Sequence, residues 1–189
     1  MFFLLGMLAL AASGCTRDAS RKVDGPTGSN PAVAAPMKTF EDKVCGIALQ
    51  YPSSWNMMTD SDQLTRMAGD LGTPFKSSFR ANPDPGKNSF IGVRCTTDSK
   101  FNDMMGEDLV YRYIQDIKRA PGNSLQKVEK VSLDGLTAIR ATVNHNDEIF
   151  YELMVKLPEH FTVVSVWNVE PVSLVSGVFD SVHLLQTAK

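Results

Sequence analysis

Cysteine and histidine are the residues of this chain whose side chains most readily do chemistry, and neither type is spaced for catalysis or metal binding. The three histidines, His145, His160 and His183, are far apart, and none has a second ligand at the i+4 spacing typical of zinc sites. The chain also lacks a Gly-x-Ser-x-Gly elbow, a P-loop and a Gly-x-Gly-x-x-Gly loop. We therefore predict that it is not an enzyme and holds no metal or cofactor. A cation in the polar loop at residues 144–148 is an alternative to a solvated hairpin loop.

The N-terminal segment has the pattern of an export signal that ends at a cysteine. Residues 1–14 are uncharged, and their apolar run is too short to cross a bilayer, which takes about 20 apolar residues. Residues 11–15, Ala-Ala-Ser-Gly-Cys, resemble the lipobox of bacterial lipoproteins, which implies a diacylglyceryl group on Cys15 and cleavage before it. The segment lacks Lys and Arg, and Ala12 stands where the lipobox prefers Leu. An ordinary secretory signal and an uncleaved anchor therefore remain alternatives.

These features predict a tethered domain in three parts. Residues 1–14 are a lipoprotein signal peptide, and residues 15–37 are the lipidated cysteine followed by a flexible linker without apolar periodicity. Residues 38–189 form one domain, which faces the periplasm or the exterior from a membrane of the bacterial cell envelope. The formal net charge is −2 and no basic stripe is visible, so we expect no nucleic-acid partner.

The other two cysteines, Cys45 and Cys95, form an even pair in a chain predicted to be exported. Disulfides persist in such oxidising compartments, but a bridge needs strands that bring the two Cα atoms within about 7 Å. A disulfide and two buried thiols are both compatible with the sequence. A reactive nucleophile is a third alternative, although no residue nearby in sequence would activate a thiol.

Apolar periodicity predicts an α+β domain with a largely antiparallel sheet flanked by helices. A period of two predicts strands, and helical spacing predicts helices before and after them. The turn signal Asp134-Gly135 joins two strands into a hairpin. The predicted strands are residues 43–51, 77–81, 90–96, 128–133, 136–143, 149–157 and 161–169, and the predicted helices are residues 62–71, residues 105–119 and a last one that opens at Pro171.

One segment carries a resemblance to a known family. Residues 46–55, Gly-Ile-Ala-Leu-Gln-Tyr-Pro-Ser-Ser-Trp, resemble the opening Gly-x-x-apolar-x-Tyr-Pro-x-x-Trp of PsbP-like domains, and bacterial DcrB-like proteins are similar. The hairpin at residues 131–138 and the closing helix at residues 179–182 lie where that family places such features. The resemblance covers Thr39 to Leu185 and implies an α/β/α sandwich. Its members are generally binding or assembly proteins, and no photosystem function follows, because no photosystem contact motif can be matched.

Aromatic and methionine side chains are the candidates for a binding surface. Such residues are favoured in adaptable apolar recognition sites, and Trp55 and Met57 are the first positions to test, with core packing as the structural alternative. Together these observations predict a membrane-tethered, non-catalytic binding or assembly module with an envelope protein as partner. The alternative is a carrier of a small ligand or metal ion that uses a cleft between sheet and helices.

Overall fold

We describe the protein from a computed structural model. The structure describes residues 36–68, 75–84, 86–96, 98 and 106–185. The predicted signal peptide, Cys15 and nearly all of the predicted linker lie outside these ranges, so those predictions remain predictions. None of the helices among the described residues is long and apolar enough to cross a membrane.

The described residues form ten strands and three helices, which confirms the predicted α+β class. In chain order the elements are β1 Met37–Asp42, β2 Ile47–Pro52, β3 Asn56–Met58, α1 Ser61–Ala68, β4 Lys76–Asn82, β5 Phe90–Thr96, α2 Gly106–Arg119, β6 Asn123–Leu133, β7 Leu136–His145, β8 Glu148–Lys156, β9 Phe161–Trp167, α3 Val172–Asp180 and β10 His183–Leu184.

The strands form two antiparallel sheets rather than the single sheet that periodicity predicted. The large sheet has seven strands in the order β3-β4-β5-β9-β8-β7-β6, and the small sheet has three in the order β1-β2-β10. The small sheet was missed because its two outer strands give weak signals. In β1 buried and exposed residues do not alternate, and β10 has only two residues.

Two tight turns build one half of the large sheet. Asp134 and Gly135 both have positive φ angles, as do Asn146 and Asp147, and this is the conformation of the two-residue turns that suit antiparallel hairpins. The predicted Asp-Gly hairpin between β6 and β7 is therefore confirmed. Strand β6 is an edge strand, and its pairing with β7 shifts register between Leu125 and Lys127.

The large sheet separates two different environments. On one face, which we call the closed face, apolar side chains of β4, β5, β8 and β9 pack against β2 of the small sheet and against Val175, Val178 and Phe179 of α3. On the other face, Ile114 and Ile117 of α2 pack against apolar residues of β7, β8 and β9. Helices therefore lie on both sides of the sheet, and the small sheet adds to the closed face.

A disulfide joins the two sheets. Cys45 lies just before β2 and Cys95 lies in β5, and their sulfur atoms are bonded with the Cα atoms 5.5 Å apart. The loop that carries Cys45 is held by buried Asp42, whose Oδ1 accepts hydrogen bonds from the backbone N–H groups of Val44 and Cys45 at 3.0 and 2.9 Å. The hydroxyl of Ser78 in β4 donates to the other oxygen of Asp42. Covalent and polar bonds thus attach the small sheet to the large one.

We expect the double variant Cys45→Ala/Cys95→Ala to lower the free energy of unfolding by about 4 kcal/mol, because the bridge closes a 50-residue separation in the unfolded chain. Urea denaturation at neutral pH measures this change. The control is wild-type protein whose disulfide has been reduced in the unfolded state before refolding. Its free energy of unfolding should match that of the variant. A loss below about 1 kcal/mol would show that the bridge adds little to the packing of the two sheets.

Candidate functional site

A groove of about 670 Å³ opens on the face of the large sheet that is opposite the closed face. We call it the α1–α2 groove, because Leu64 and Met67 of α1 and Tyr113 and Ile117 of α2 line it. The remaining lining comes mainly from β4, β5, β8 and β9. The strand residues that give the lining its polar and aromatic character are Arg80, Phe90, Gly92, Arg94, Phe150, Glu152, Ser165 and Trp167.

Strand alternation explains why these residues share one face. In β5, Phe90, Gly92 and Arg94 line the groove, whereas Ile91 between the first two belongs to the core of the closed face and does not line it. Gly92 leaves room for its neighbour, because a Cβ at this position would lie 3.3 Å from the ring of Phe90. A larger side chain at residue 92 would therefore displace that ring and occupy the groove.

A buried carboxylate lies at the centre of the lining. The side chain of Glu152 is only 3% exposed, and its Oε1 accepts a hydrogen bond from Arg94 Nη2 at 2.9 Å. The hydroxyls of Tyr113 and Ser165 donate to the same oxygen at 3.2 Å each. Arg94 also donates to the Tyr113 hydroxyl, so the three donors form one network around Oε1. A buried charge is tolerated when it is paired and hydrogen-bonded in this way.

The second oxygen of the same carboxylate differs from the first. Glu152 Oε2 is buried and has no hydrogen-bond partner among the residues that the structure describes. A buried polar atom without a partner costs about 1–3 kcal/mol, so such atoms are uncommon and each needs an explanation, of which a bound water or ligand is one. Because an ionised carboxylate only accepts hydrogen bonds, Oε2 offers the groove an acceptor.

Tyr113 stays protonated in this network. Burial raises the pKa of its phenol strongly, and the nearby charge of Glu152 raises it further, while Arg94 opposes the shift. The phenol therefore remains a hydrogen-bond donor to Glu152 across the physiological pH range. This network can hold and orient a bound group.

Three aromatic rings stack face to face beside the carboxylate, so that both faces of the central ring, Trp167, are covered by its neighbours. Phe90, Trp167 and Phe150 occupy directly paired positions on β5, β9 and β8. The Phe90 and Trp167 ring centroids are 6.0 Å apart and those of Phe150 and Trp167 are 4.7 Å apart, with interplanar angles of 11° and 1°. The guanidinium of Arg80 lies 4.0 Å from the Phe90 ring centroid. The groove thus combines an aromatic surface with a buried acceptor.

The residues that the sequence singled out lie elsewhere. Trp55 is half-buried and packs against the core of the closed face, and Met57 is 52% exposed and accepts a hydrogen bond through its sulfur from the Tyr51 hydroxyl at 3.3 Å. Neither residue lines the α1–α2 groove. Cys15 lies outside the described residues. In the described part of the chain, no three His, Cys, Asp or Glu side chains are grouped closely enough to hold a metal ion.

Sequence reasoning missed the groove residues because they come from separate elements without a shared motif. Arg94 and Glu152 are 58 positions apart in the sequence. Their side chains meet because β5 and β8 both pair with β9, one on each side of it, so that the two residues project from the same face of the sheet. One signal was available. Glu152 is a charged residue inside the otherwise apolar segment at residues 149–155, and a charge in such a segment predicts either a partner or a function.

We expect Tyr113→Phe to reduce the alkaline loss of stability. Because the pKa of Tyr113 is raised in the folded protein above its ordinary value of about 10, the stability linked to this phenol is complete below pH 10 and is lost as the pH rises above it. Between pH 10 and 11 the wild type should lose about 1 kcal/mol more than the variant in urea denaturation. Tyr111→Phe, at an exposed position of the same helix, is the control and should behave like the wild type. Equal losses in all three proteins would contradict the burial of the phenol.

Comparisons with known proteins identify which solved structures have a similar fold. No protein-family model matches the sequence, and no curated protein matches it. The structure is similar to that of cyanobacterial PsbP (CyanoP) from Synechocystis sp. PCC 6803, with 16% sequence identity, a TM-score of 0.55, and coverage of 85% of this chain and 99% of that chain. A protein from Bacteroides thetaiotaomicron VPI-5482 also matches, at 13% identity and a TM-score of 0.42, over 80% of this chain and 50% of that one. The resemblance predicted from residues 46–55 is thus confirmed for the fold, and the domain has a PsbP-like fold.

Proposed function

We propose that this protein is a lipid-anchored, non-catalytic binding module of the bacterial cell envelope and that the α1–α2 groove is its binding site. The observation that carries the proposal is Glu152, a residue of the groove lining whose buried Oε2 has no hydrogen-bond partner among the described residues. Concave sites with mostly apolar walls and a few fixed polar groups are typical of small-ligand binding.

The polar groups of the groove support binding rather than proton transfer. General acid–base catalysis is most efficient when the pKa of the group lies near the working pH. Burial moves the pKa of Tyr113 away from that range, and Glu152 Oε1 is already engaged by three donors. Groups fixed in this way orient a ligand, which is the role that we assign to them.

The anchor rests on the sequence of the N-terminal segment. Lipidation at Cys15 would hold the domain at a membrane, and several acyl chains hold a protein much more firmly than one. A linker of about twenty residues has a root-mean-square span of roughly 25 Å, so the domain would remain near the bilayer while it reorients. The groove would then meet ligands at the membrane surface.

An envelope protein as assembly partner is the second candidate function. It would use a different surface, because Met57 is half-exposed beside Tyr51 and both lie outside the groove. The groove itself favours a small ligand over a protein surface, since its polar recognition group is buried. The two candidates therefore depend on different residues and can be tested separately.

We expect the wild-type protein to incorporate a fatty-acid probe in its host and to sediment with membranes. The variant Cys15→Ala should lose both properties, because the thioether to the lipid cannot form without the sulfur. Gel detection of the probe and membrane fractionation measure the two outcomes. Cys45→Ala/Cys95→Ala is the control and should be labelled like the wild type. Equal labelling of the wild type and Cys15→Ala, or no labelling of either, would contradict the anchor.

We expect protein purified from its host envelope to carry a stoichiometric bound small molecule in native mass spectrometry. Gly92→Leu should abolish the bound mass, because a side chain at this position fills the groove and displaces the Phe90 ring. Gly177→Leu, which points into open space on α3, is the matched control and should keep it. Circular dichroism verifies that both variants fold. A bound mass that survives Gly92→Leu, or a wild type without one, would contradict the groove as ligand site.

A further inference from the structure

We infer that the ligand of the α1–α2 groove is a small molecule with a flat aromatic ring and a neutral N–H donor, which donates to Glu152 Oε2. The inference rests on the proposed function and specifies the chemistry of its ligand. It follows from three properties of the lining, which are the polarity of the unused oxygen, the local charge balance and the aromatic surface.

The polarity of Oε2 selects a donor. Glu152 lines the groove with a side chain that is 3% exposed, and its Oε2 is buried without a hydrogen-bond partner among the described residues. A carboxylate oxygen accepts hydrogen bonds and cannot donate them. A ligand that places a carbonyl or ether oxygen there would leave two acceptors facing each other in a desolvated site, whereas an N–H group would satisfy Oε2.

The charge balance selects a neutral donor over an ammonium group. Arg94 lies 2.9 Å from Glu152 and cancels its charge, and among the described residues the groove lining also contains one further cation, Arg80, and one further anion, Asp116. The described part of the lining therefore has no net charge that would attract a cation. In addition, Arg80 already occupies the cation position over the Phe90 ring at 4.0 Å.

The aromatic surface selects the body of the ligand. Trp167 is only half-buried and stands at the centre of the stack between Phe90 and Phe150. Aromatic rings prefer offset-stacked or edge-to-face contacts with one another, and such contacts add to the burial of apolar area. Because the faces of Trp167 are covered by Phe90 and Phe150, a flat ligand ring would contact the edges of the stack in the edge-to-face arrangement. Phe150 and Trp167 lie two residues along their strands from Glu152 and Ser165, so an N–H at the edge of that ring can point towards the carboxylate.

Indole and benzofuran form a matched pair of probes. They have nearly the same shape, but indole has an N–H donor where benzofuran has an ether oxygen. We expect full-length wild-type protein in detergent to bind indole at least about 10-fold more tightly than benzofuran, because a buried acceptor strongly rejects an analogue that lacks the donor. Ligand-observed saturation-transfer NMR titrations measure both affinities. Equal binding of the two probes, or tighter binding of benzofuran, would overturn the inference without any variant.

The variant Glu152→Gln tests the atom itself. Its amide oxygen can still accept from Arg94, and its NH2 group then stands where Oε2 was, so an acceptor becomes a donor. The ratio of the affinity for indole to the affinity for benzofuran should fall by about 10-fold or more in this variant. Asp116→Asn is the matched control, since it removes the same charge from a groove residue that is 62% exposed, and it should keep the preference. A Glu152→Gln protein that still prefers indole would overturn the inference.

The outcomes separate this inference from the proposed function. If the host ligand is lost in Gly92→Leu but indole and benzofuran bind equally to the wild type, the groove is a binding site and the assigned ligand chemistry is wrong. If neither probe binds and the purified protein carries no ligand, both proposals fail. A preference for indole that depends on Glu152 supports both.

Discussion

The ion pair between Arg94 and Glu152 is the interaction on which the groove depends. A carboxylate buried between apolar strands is unfavourable unless a cation and further donors compensate the loss of water, and Arg94, Tyr113 and Ser165 supply them. These partners come from β5, α2 and β9. The hydrogen bond from Tyr113 therefore also links α2 to the sheet. Replacing such a pair by apolar residues is often neutral or stabilising, which argues that this chain keeps it for a purpose other than stability.

The two faces of the large sheet have different roles: one packs into the core and the other carries the groove. The closed face is a continuous apolar core, to which the small sheet is attached by the Cys45–Cys95 bridge and by the buried Asp42 carboxylate. The opposite face is covered only in part, because α1 and α2 leave the groove between them. Stability that comes from the closed face allows the other face to keep polar groups and open volume, which a single well-packed core would exclude.

Local patterns predicted much of the fold, and the elements that were missed have weak local patterns. Strand β5 was predicted with the bounds that it has, residues 90–96, because its side chains alternate between the two faces of the sheet. The β6–β7 hairpin followed from one Asp-Gly turn. Strand β1 carries polar residues at most positions, so only its pairing with β2 makes it a strand. The sequence also could not decide between a disulfide and two thiols at Cys45 and Cys95, because the answer depends on which loop lies against β5.

The candidate site was less predictable than the fold, because it arises from contacts between distant segments. Periodicity identifies β5, β8 and β9 as strands, but it does not say that β9 lies between the other two, and the meeting of Arg94 with Glu152 depends on that order. Trp55 and Met57 were singled out by residue type alone, whereas the aromatic stack depends on register, which pairs Trp167 with both Phe90 and Phe150. Residue type suggests what a side chain can do, and register determines which side chains act together.

The shape of β6 would matter if the proposed lipid anchor holds the domain at a membrane. An edge strand of eleven residues exposes backbone groups that could pair with another copy, and confinement to a membrane would bring such copies together far more often than free diffusion does. The register shift between Leu125 and Lys127 interrupts the straight edge, and the exposed ion pair of Lys127 with Glu129 places charges along it. Both features oppose strand addition, so anchored copies would stay separate even when they are crowded.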